Sequence, residues 1–385
     1  MRATLLLLLV PAVGLAAPKP GDDGTPEYRA AADLVRQLGD PKFAAREAAA
    51  RKLVDMGAAA VPALRAGTAS ADEEVRSRSV ALLPQAQAVG WKRRADAFLA
   101  DPTGKHDLPL MAEWEKLAGK PDAGSRALYA DMVKGGGPLM ELAATDRRAA
   151  VAALAAQSKK LLDSMRVRGK VVEVPAGDIA AVLFVQAVLK DSPDATGSAD
   201  RREPLYLLSN PSVAAALGAR DTGPAFRLLV VAWIDSRPAE ETMSALYFTL
   251  LTHRRPFAEA DPVLIRLATR HKSAQIRWVA LEALGKSGTK VAVNKLTELL
   301  TDTATMYDDV GGKDSPQQVR DCALAALVNG SGKKPVDYGL TSYMSANFWF
   351  GGTADGIALH LCGFKSAADR DAGFKKWRAE AAAKK

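Results

Sequence analysis

Apolar residues recur along this chain at intervals of three and four, and four stretches share one version of that spacing. They begin at Asp40 (DPKFAAREAAARKLVDMG), Ser70 (SADEEVRSRSVALLPQAQ), His271 (HKSAQIRWVALEALGKSG) and Asp314 (DSPQQVRDCALAALVNGS). Each carries an arginine at the same offset: Arg46, Arg76, Arg277 and Arg320. Ala45, Val75, Ile276 or Val319 precedes it, and Ala49, Ser79, Ala280 or Ala323 follows three positions later. Leu53, Leu83, Leu284 and Leu327 stand seven positions after it. Such offsets share one face of a helix. The spacing therefore predicts four amphipathic helices, each with a small residue where a neighbour comes close.

Asp40, Ser70 and Asp314 are expected to cap these helices, with Pro41 and Pro316 in the first turn, where a missing N–H costs nothing. An amphipathic segment precedes each helix: Tyr28–Leu38, Ala59–Ala66, Asp261–Arg270 and Lys290–Leu300. A helical pair of this size cannot bury its own apolar face, whereas stacked pairs can. The expected fold is all-α, an α–α superhelix. The hydrophobic-Arg-x-x-small pattern, with a capping Asp upstream and a closing Leu, resembles the HEAT repeat. The resemblance is to the short bacterial type known also from phycobilisome-lyase-like proteins. It implies a HEAT/armadillo-like solenoid, and Ser70 and His271 depart from its capping Asp. Asp40, Arg46, Arg76, Arg277, Asp314 and Arg320 read as structural residues of the repeat, each Arg bridging to the capping Asp or to a carbonyl of a neighbouring pair.

The repeat covers residues 27–87 and 256–331. Between them, residues 88–255 keep helical periodicity without the motif, with helices expected at about 88–99, 108–118, 123–133, 146–165, 178–190, 201–208, 211–217, 223–235 and 239–253. Breakers are read at Asp101-Pro102, Gly135-Gly136-Gly137, Asp191-Ser192-Pro193 and Asp221-Thr222-Gly223-Pro224. Two readings of this region stand: degenerate pairs that continue the array, or a separate helical domain. Lys170–Val174 (KVVEV) has the composition of one short strand, with no partner in view. Asp302–Asp314, with Asp308 and Asp309, reads as a solvated insertion inside the last pair. Residues 332–385 form a loop-rich cap, an aromatic loop and then a closing helix from about Ser366.

The N-terminus changes the picture of where the chain works. Residues 1–17 (MRATLLLLLVPAVGLAA) have a charged start, an apolar middle and small residues before Pro18, as a secretory signal does. Residues 18–26 read as a flexible leader. No Cys stands at the exit for lipid attachment. The later apolar runs, Ile179–Leu189 and Leu228–Ile234, are shorter than the ~20 residues a membrane helix needs. The expected location is periplasmic or extracellular, in a bacterium, with no membrane span in the mature chain.

Composition agrees with helix: hydrophobic residues are 48% and aromatics only 6% of the 385 residues. With two cysteines and four histidines, a disulfide scaffold or a histidine-rich metal site is excluded. No metal or cofactor is expected. G-x-S-x-G, H-E-x-x-H, Walker A and G-x-G-x-x-G are missing from the sequence.

Net charge is +8, one less after loss of Arg2. Lys159, Lys160, Arg166, Arg168 and Lys170 concentrate it, so an anionic polymer of the envelope is one candidate ligand. Stacking aromatics and a reading motif are lacking there, which argues against nucleic acid. Tyr343, Phe348, Trp349 and Phe350 lie in a Gly-flanked stretch and read either as a partner's anchor or as a lid on the last repeat. Cys322 and Cys362 can form one disulfide in an oxidising compartment. His360 with Cys362 is a weak nucleophile pair at this separation. The function expected is a non-catalytic exported scaffold for a protein or peptide, with the polymer-binding module as alternative. A lyase-like enzyme is the third reading.

Overall fold

Helix α1 (Pro26–Gln37) starts where Thr25 accepts the Tyr28 N–H on its hydroxyl, 3.1 Å away, with Pro26 in its first turn. The structure is a computed structural model that describes residues 25–103, 106–119, 122–167, 170–190, 207–236, 257–312, 315–342 and 362–383. Tyr343, Phe348, Trp349, Phe350, Arg168, Asp314, His360 and the first 24 residues lie outside the described residues. The chain divides into two compact units, Met1–Ala199 with Asn210–Ala216, and Asp200–Ser209 with Leu217–Lys385. Both are predominantly helical. Among the described residues no helix is long and apolar enough to cross a membrane.

In the first unit α1 is followed by α2 (Phe43–Met56), a 3-10 turn (Gly57–Ala60), α3 (Val61–Gly67) and α4 (Glu73–Ala100). Then come α5 (Met111–Ala118), α6 (Ala123–Thr145), α7 (Arg147–Met165) and α8 (Ala176–Val188). They pair in order. The second members pack in a row, α2 on α4, α4 on α6 and α6 on α8, while α1 packs on α3. Residues 123–188 thus continue the packing begun by α1–α4, with no repeat motif in their sequence. Trp114 of α5 stacks on Tyr129 of α6 at 6.1 Å and meets Phe184 of α8 edge-on at 5.6 Å.

One expected helix is not separate, and one expected break is not a break. Helix α4 is continuous through Pro84, so the segment expected at 88–99 is its second half. Gly135-Gly136-Gly137 lies inside α6, followed by Pro138. These glycines are there for contact. A Cβ on Gly136 would collide with Ala181 of α8, and one on Gly137 with the Trp91 ring of α4. Without side chains, α6 sits closely between both neighbours, and that packing offsets poor helix propensity.

The second unit holds α10 (Gly223–Asp235), preceded by α9 (Pro211–Gly218), which crosses the boundary. A 3-10 turn (Ala258–Ala260) leads into α11 (Asp261–Arg270), α12 (Ala274–Ser287) and α13 (Lys290–Glu298). The insertion expected to be a solvated loop is instead a hairpin, β3 (Thr305–Gly312) paired antiparallel with β4 (Ser315–Gln318). Pro316 therefore stands in β4, opposite Gly311, and not in a helix. After α14 (Val319–Gly330) and a 3-10 turn (Pro335–Tyr338), β5 (Thr341–Ser342) pairs with β6 (Cys362–Gly363). Helix α15 (Ala367–Ala382) closes the chain, its N-cap Ser366 accepting the Asp369 N–H. As in the first unit, α12 packs on α14 and α11 on α13. A third antiparallel pair, β1 (Arg166–Val167) with β2 (Lys170–Val171), gives the KVVEV strand the partner it lacked in sequence.

The expected buried face is present. Ala49, Ser79, Ala280 and Ala323 are all at most 1% exposed. Val80 is 57% exposed, because α4 turns Ser79, Leu82 and Ala86 inward instead.

Alanine at Gly136 or Gly137 tests the close approach. Helix propensity alone would stabilise the variant by about 1 kcal/mol. Collision with Ala181 or Trp91 reverses the sign, and a net loss of ~1–3 kcal/mol is expected in urea unfolding. A gain in stability would show that α6 is not held this tightly.

Candidate functional site

The turn between the two helices of a pair leaves backbone groups with no intrahelical partner. The repeat satisfies them with two side chains. Asp40 Oδ1 accepts the Lys42 N–H at 2.7 Å, Ser70 Oγ the Asp72 N–H at 3.2 Å, and His271 Nδ1 the Ser273 N–H at 3.0 Å. The position thus selects an acceptor near the backbone, and Asp, Ser and His all supply one. Because Nδ1 accepts, the His271 proton sits on Nε2.

These residues are not the helix N-caps, which lie two positions further on. Lys42 precedes α2, and Asp72 caps α4 by accepting the Glu74 and Val75 N–H groups at 2.9 and 3.1 Å. The true caps follow because the polar turn needs two residues before helical geometry begins.

The arginine serves the other side of the turn. Arg46 Nη1 donates to the Asp40 carbonyl at 2.8 Å, and Arg76 Nη1 to the Ser70 carbonyl at 2.7 Å. Arg277 Nε donates to the Ala268 carbonyl at 2.9 Å, in the last turn of α11. All three bond backbone carbonyls beside their own helix, and the link to a capping carboxylate is not made. Glu74 joins Arg46 (3.3 Å) and Arg78 (2.6 Å), and Arg78 reaches Glu47 (2.8 Å), so ion pairs cross from α2 to α4.

The fourth unit departs from this scheme, and there a buried polar cluster forms. Asp302 Oδ1 accepts the Ala304 N–H at 2.9 Å, so Asp302 takes the turn position in place of Asp314. The hairpin is inserted directly after it. The chain closes again where Val319 N–H meets the Ala304 carbonyl and Arg320 N–H the Asp302 carbonyl, each at 2.9 Å.

Arg370 enters from α15. Its Nε and Nη2 donate to the two oxygens of Asp321, both at 2.9 Å, and Nη2 also to the Pro316 carbonyl at 2.7 Å. Arg370 is 4% and Asp321 0% exposed. Asp321 Oδ2 accepts the Gln318 N–H as well, completing a capping box at α14. Burial pushes the Asp321 carboxyl up, while the Arg370 fork and the Gln318 N–H oppose that shift. Gln317 Nε2 donates to the Cys362 carbonyl at 2.6 Å, joining β4 to β6. The hairpin and β6 thus meet in one cluster.

Cys322 and Cys362 belong to it, both buried and both free thiols. Burial raises the Cys362 thiol to about 12, helped by the charge of Glu282. Burial also lifts Cys322 well above its ordinary value, with Asp321 and Cys362 adding to it. Thiols held this far above neutral pH are not nucleophiles. Among the described residues no group of three His, Cys, Asp or Glu side chains could hold a metal ion. Chemically, the cluster is a clasp that ties the β3–β4 hairpin and β6 to α14 and α15.

Of the basic stretch, Lys159 and Lys160 lie on α7. Lys159 pairs with Asp163 at 2.8 Å on α7, and Lys160 is exposed beside it. The charge of Lys160 draws the α8 carboxyl of Asp178 down, against a larger upward push from burial. Arg166 and Lys170 stand on β1 and β2, past the end of α7.

Arg370, Gln317 and Glu282 were not singled out in the sequence. A signal for Arg370 exists. Arg370, Gly373, Phe374 and Trp377 follow helical spacing, which puts an arginine in an otherwise apolar stripe.

Arg370→Leu leaves Asp321 buried without its cation, and a loss of about 3–5 kcal/mol is expected in urea unfolding. Adding Asp321→Asn should recover part of it, and equal losses in single and double variants would refute the pairing. Glu282 is 7% exposed, and burial raises its carboxyl despite Lys286 at 3.2 Å. The folded state therefore holds that proton more tightly, and Glu282 costs stability as pH climbs past the ordinary glutamate value. Glu282→Gln should gain on the parent in thermal melts as pH rises above the ordinary glutamate value. An unchanged difference would show that Glu282 is not desolvated.

The chain matches no protein-family model, no curated protein and no solved structure.

Proposed function

We propose that this chain is an exported, non-catalytic scaffold, a HEAT-like α-solenoid that binds a protein or peptide partner. Paired helices whose second members pack on one another are how such arrays grow, and insertions into repeats commonly gather on a binding face. The observation that carries the reading is the meeting of two insertions at one place. The β3–β4 hairpin is joined to β6 by the Gln317–Cys362 bond, and β5 pairs with β6 on the two sides of residues 343–361. A built anchorage of this kind suits a segment that presents something. Tyr343, Phe348, Trp349 and Phe350 then supply the aromatic anchors. The leader-like first 17 residues support export.

The test is capture from the envelope fraction by the full chain and by Trp349→Ala/Phe350→Ala. Loss of a partner at unchanged melting temperature is the expected outcome. Undiminished capture, or a variant that loses stability instead, would reassign the segment as a lid.

A further inference from the structure

The chain has two cysteines, and both lie in the second unit, where the hairpin meets β6. Cys322 stands in the first turn of α14, and Cys362 begins β6. They are 2% and 1% exposed, and each carries a free thiol.

Direct contacts join their two neighbourhoods from both sides. Gln317, five positions before Cys322, donates its Nε2–H to the Cys362 carbonyl at 2.6 Å. Asp321, next to Cys322, holds the Arg370 guanidinium. That guanidinium lies 5.8 Å from the centre of the Phe364 ring, two positions after Cys362. Between these two ties α14 packs against β6. A negative charge on Cys362 pushes the Cys322 thiol up, as it does between close sulfurs. The fold therefore brings together two thiols that stand 40 positions apart in the chain.

Burial separates the folded chain from the unfolded one. Once β6 is seated, neither sulfur meets solvent, and an oxidant finds no thiolate to react with. Before that, both thiols are open to it. We propose that Cys322 and Cys362 form a disulfide during folding and not afterwards, so that the second unit keeps the redox state in which it closed. The oxidant is a disulfide, small or carried by a protein. One cysteine thiolate attacks it, forming a mixed disulfide and releasing one thiol. The other cysteine thiolate then attacks the bonded cysteine sulfur and releases the second thiol. The two cysteine protons and the electron pair end on the two thiols that the oxidant becomes. The finished bond fixes β6 to α14 covalently and closes a long loop, which removes freedom from the unfolded chain. This inference goes beyond the scaffold reading and does not need it.

The experiment refolds the full chain from urea and reductant in three ways. The first uses a mixture of oxidised and reduced glutathione, and the second keeps reductant throughout. The third keeps reductant until the chain is folded and only then replaces it with oxidised glutathione. Each product is denatured, alkylated and weighed by mass spectrometry. The first is expected as a monomer lighter by two hydrogen atoms, with no thiol alkylated. The second and third should carry two alkylated thiols. The oxidised chain should also melt about 5 °C above the reduced one. Where unfolding in urea is irreversible, the same masses are read on chain made by cell-free synthesis under the three conditions. Two free thiols after oxidative folding would overturn the proposal. So would glutathione or a second chain bonded to either sulfur, or oxidation of the folded chain as fast as of the unfolded one.

Discussion

Helical pairs can stack in one register only if the turn within each pair holds one geometry, and in the first two units those turns lie at an exposed edge. A turn exposes N–H and C=O groups that no helix satisfies, and leaving one buried and unpaired costs about 1–3 kcal/mol. This chain answers with a short side-chain acceptor for the N–H and an arginine for the carbonyl. Asp40 accepts the N–H on Oδ1 at 2.7 Å and Ser70 on Oγ at 3.2 Å, while Arg46 and Arg76 both donate Nη1 to the carbonyl, at 2.8 and 2.7 Å. Once the turn is saturated, the apolar faces on either side are free to stack. Ala49 and Ser79 then let α2 and α4 lie close, with exposure of 1% and 0%.

The same reasoning explains what the sequence made legible. The arginine period could be read because its job is local: Arg46, Arg76 and Arg277 reach carbonyls nine residues away or fewer, so spacing alone carries the signal. The small residue three positions later is equally local. The acceptor was read too narrowly, as a capping aspartate. Ser70 and His271 looked like departures, yet they offer an Oγ and an Nδ1 for the same bond. Chemistry at that position is conserved within the chain while residue type is not.

What could not be read depends on neighbours distant in sequence. Gly135-Gly136-Gly137 has the composition of a loop, and only Ala181 and Trp91 give it a reason to be helix. Pro84 likewise costs a helix about 3 kcal/mol, which α4 offsets by packing on both α2 and α6. The hairpin carries no strand signal in sequence because its pairing is irregular in register and its strands are poor in β-branched residues. Arg370 escaped because its partners, Asp321 and Pro316, lie 49 and 54 positions back along the chain.

The cap shows why a buried ion pair is kept where apolar side chains would serve stability as well. Helix α15 buries little along its length, chiefly Arg370, Gly373 and Phe374, and its remaining residues are mostly alanine and exposed charge. Such a helix could slide or rotate on an apolar surface at small cost. The Arg370 fork removes that freedom. It must meet both Asp321 oxygens and the Pro316 carbonyl at once, and a shift of one residue in α15 would leave Asp321 buried and unpaired. Gly373 sets the height of the helix as strictly, since a Cβ there would strike the Tyr338 carbonyl. Polar geometry, more than apolar area, therefore selects where the last helix docks. By holding the Pro316 carbonyl, that docking also takes over the kind of bond the repeat arginine makes in the other units. With that carbonyl served from α15, the Arg320 Nε turns to the Gln318 side chain instead, at 2.6 Å from Oε1.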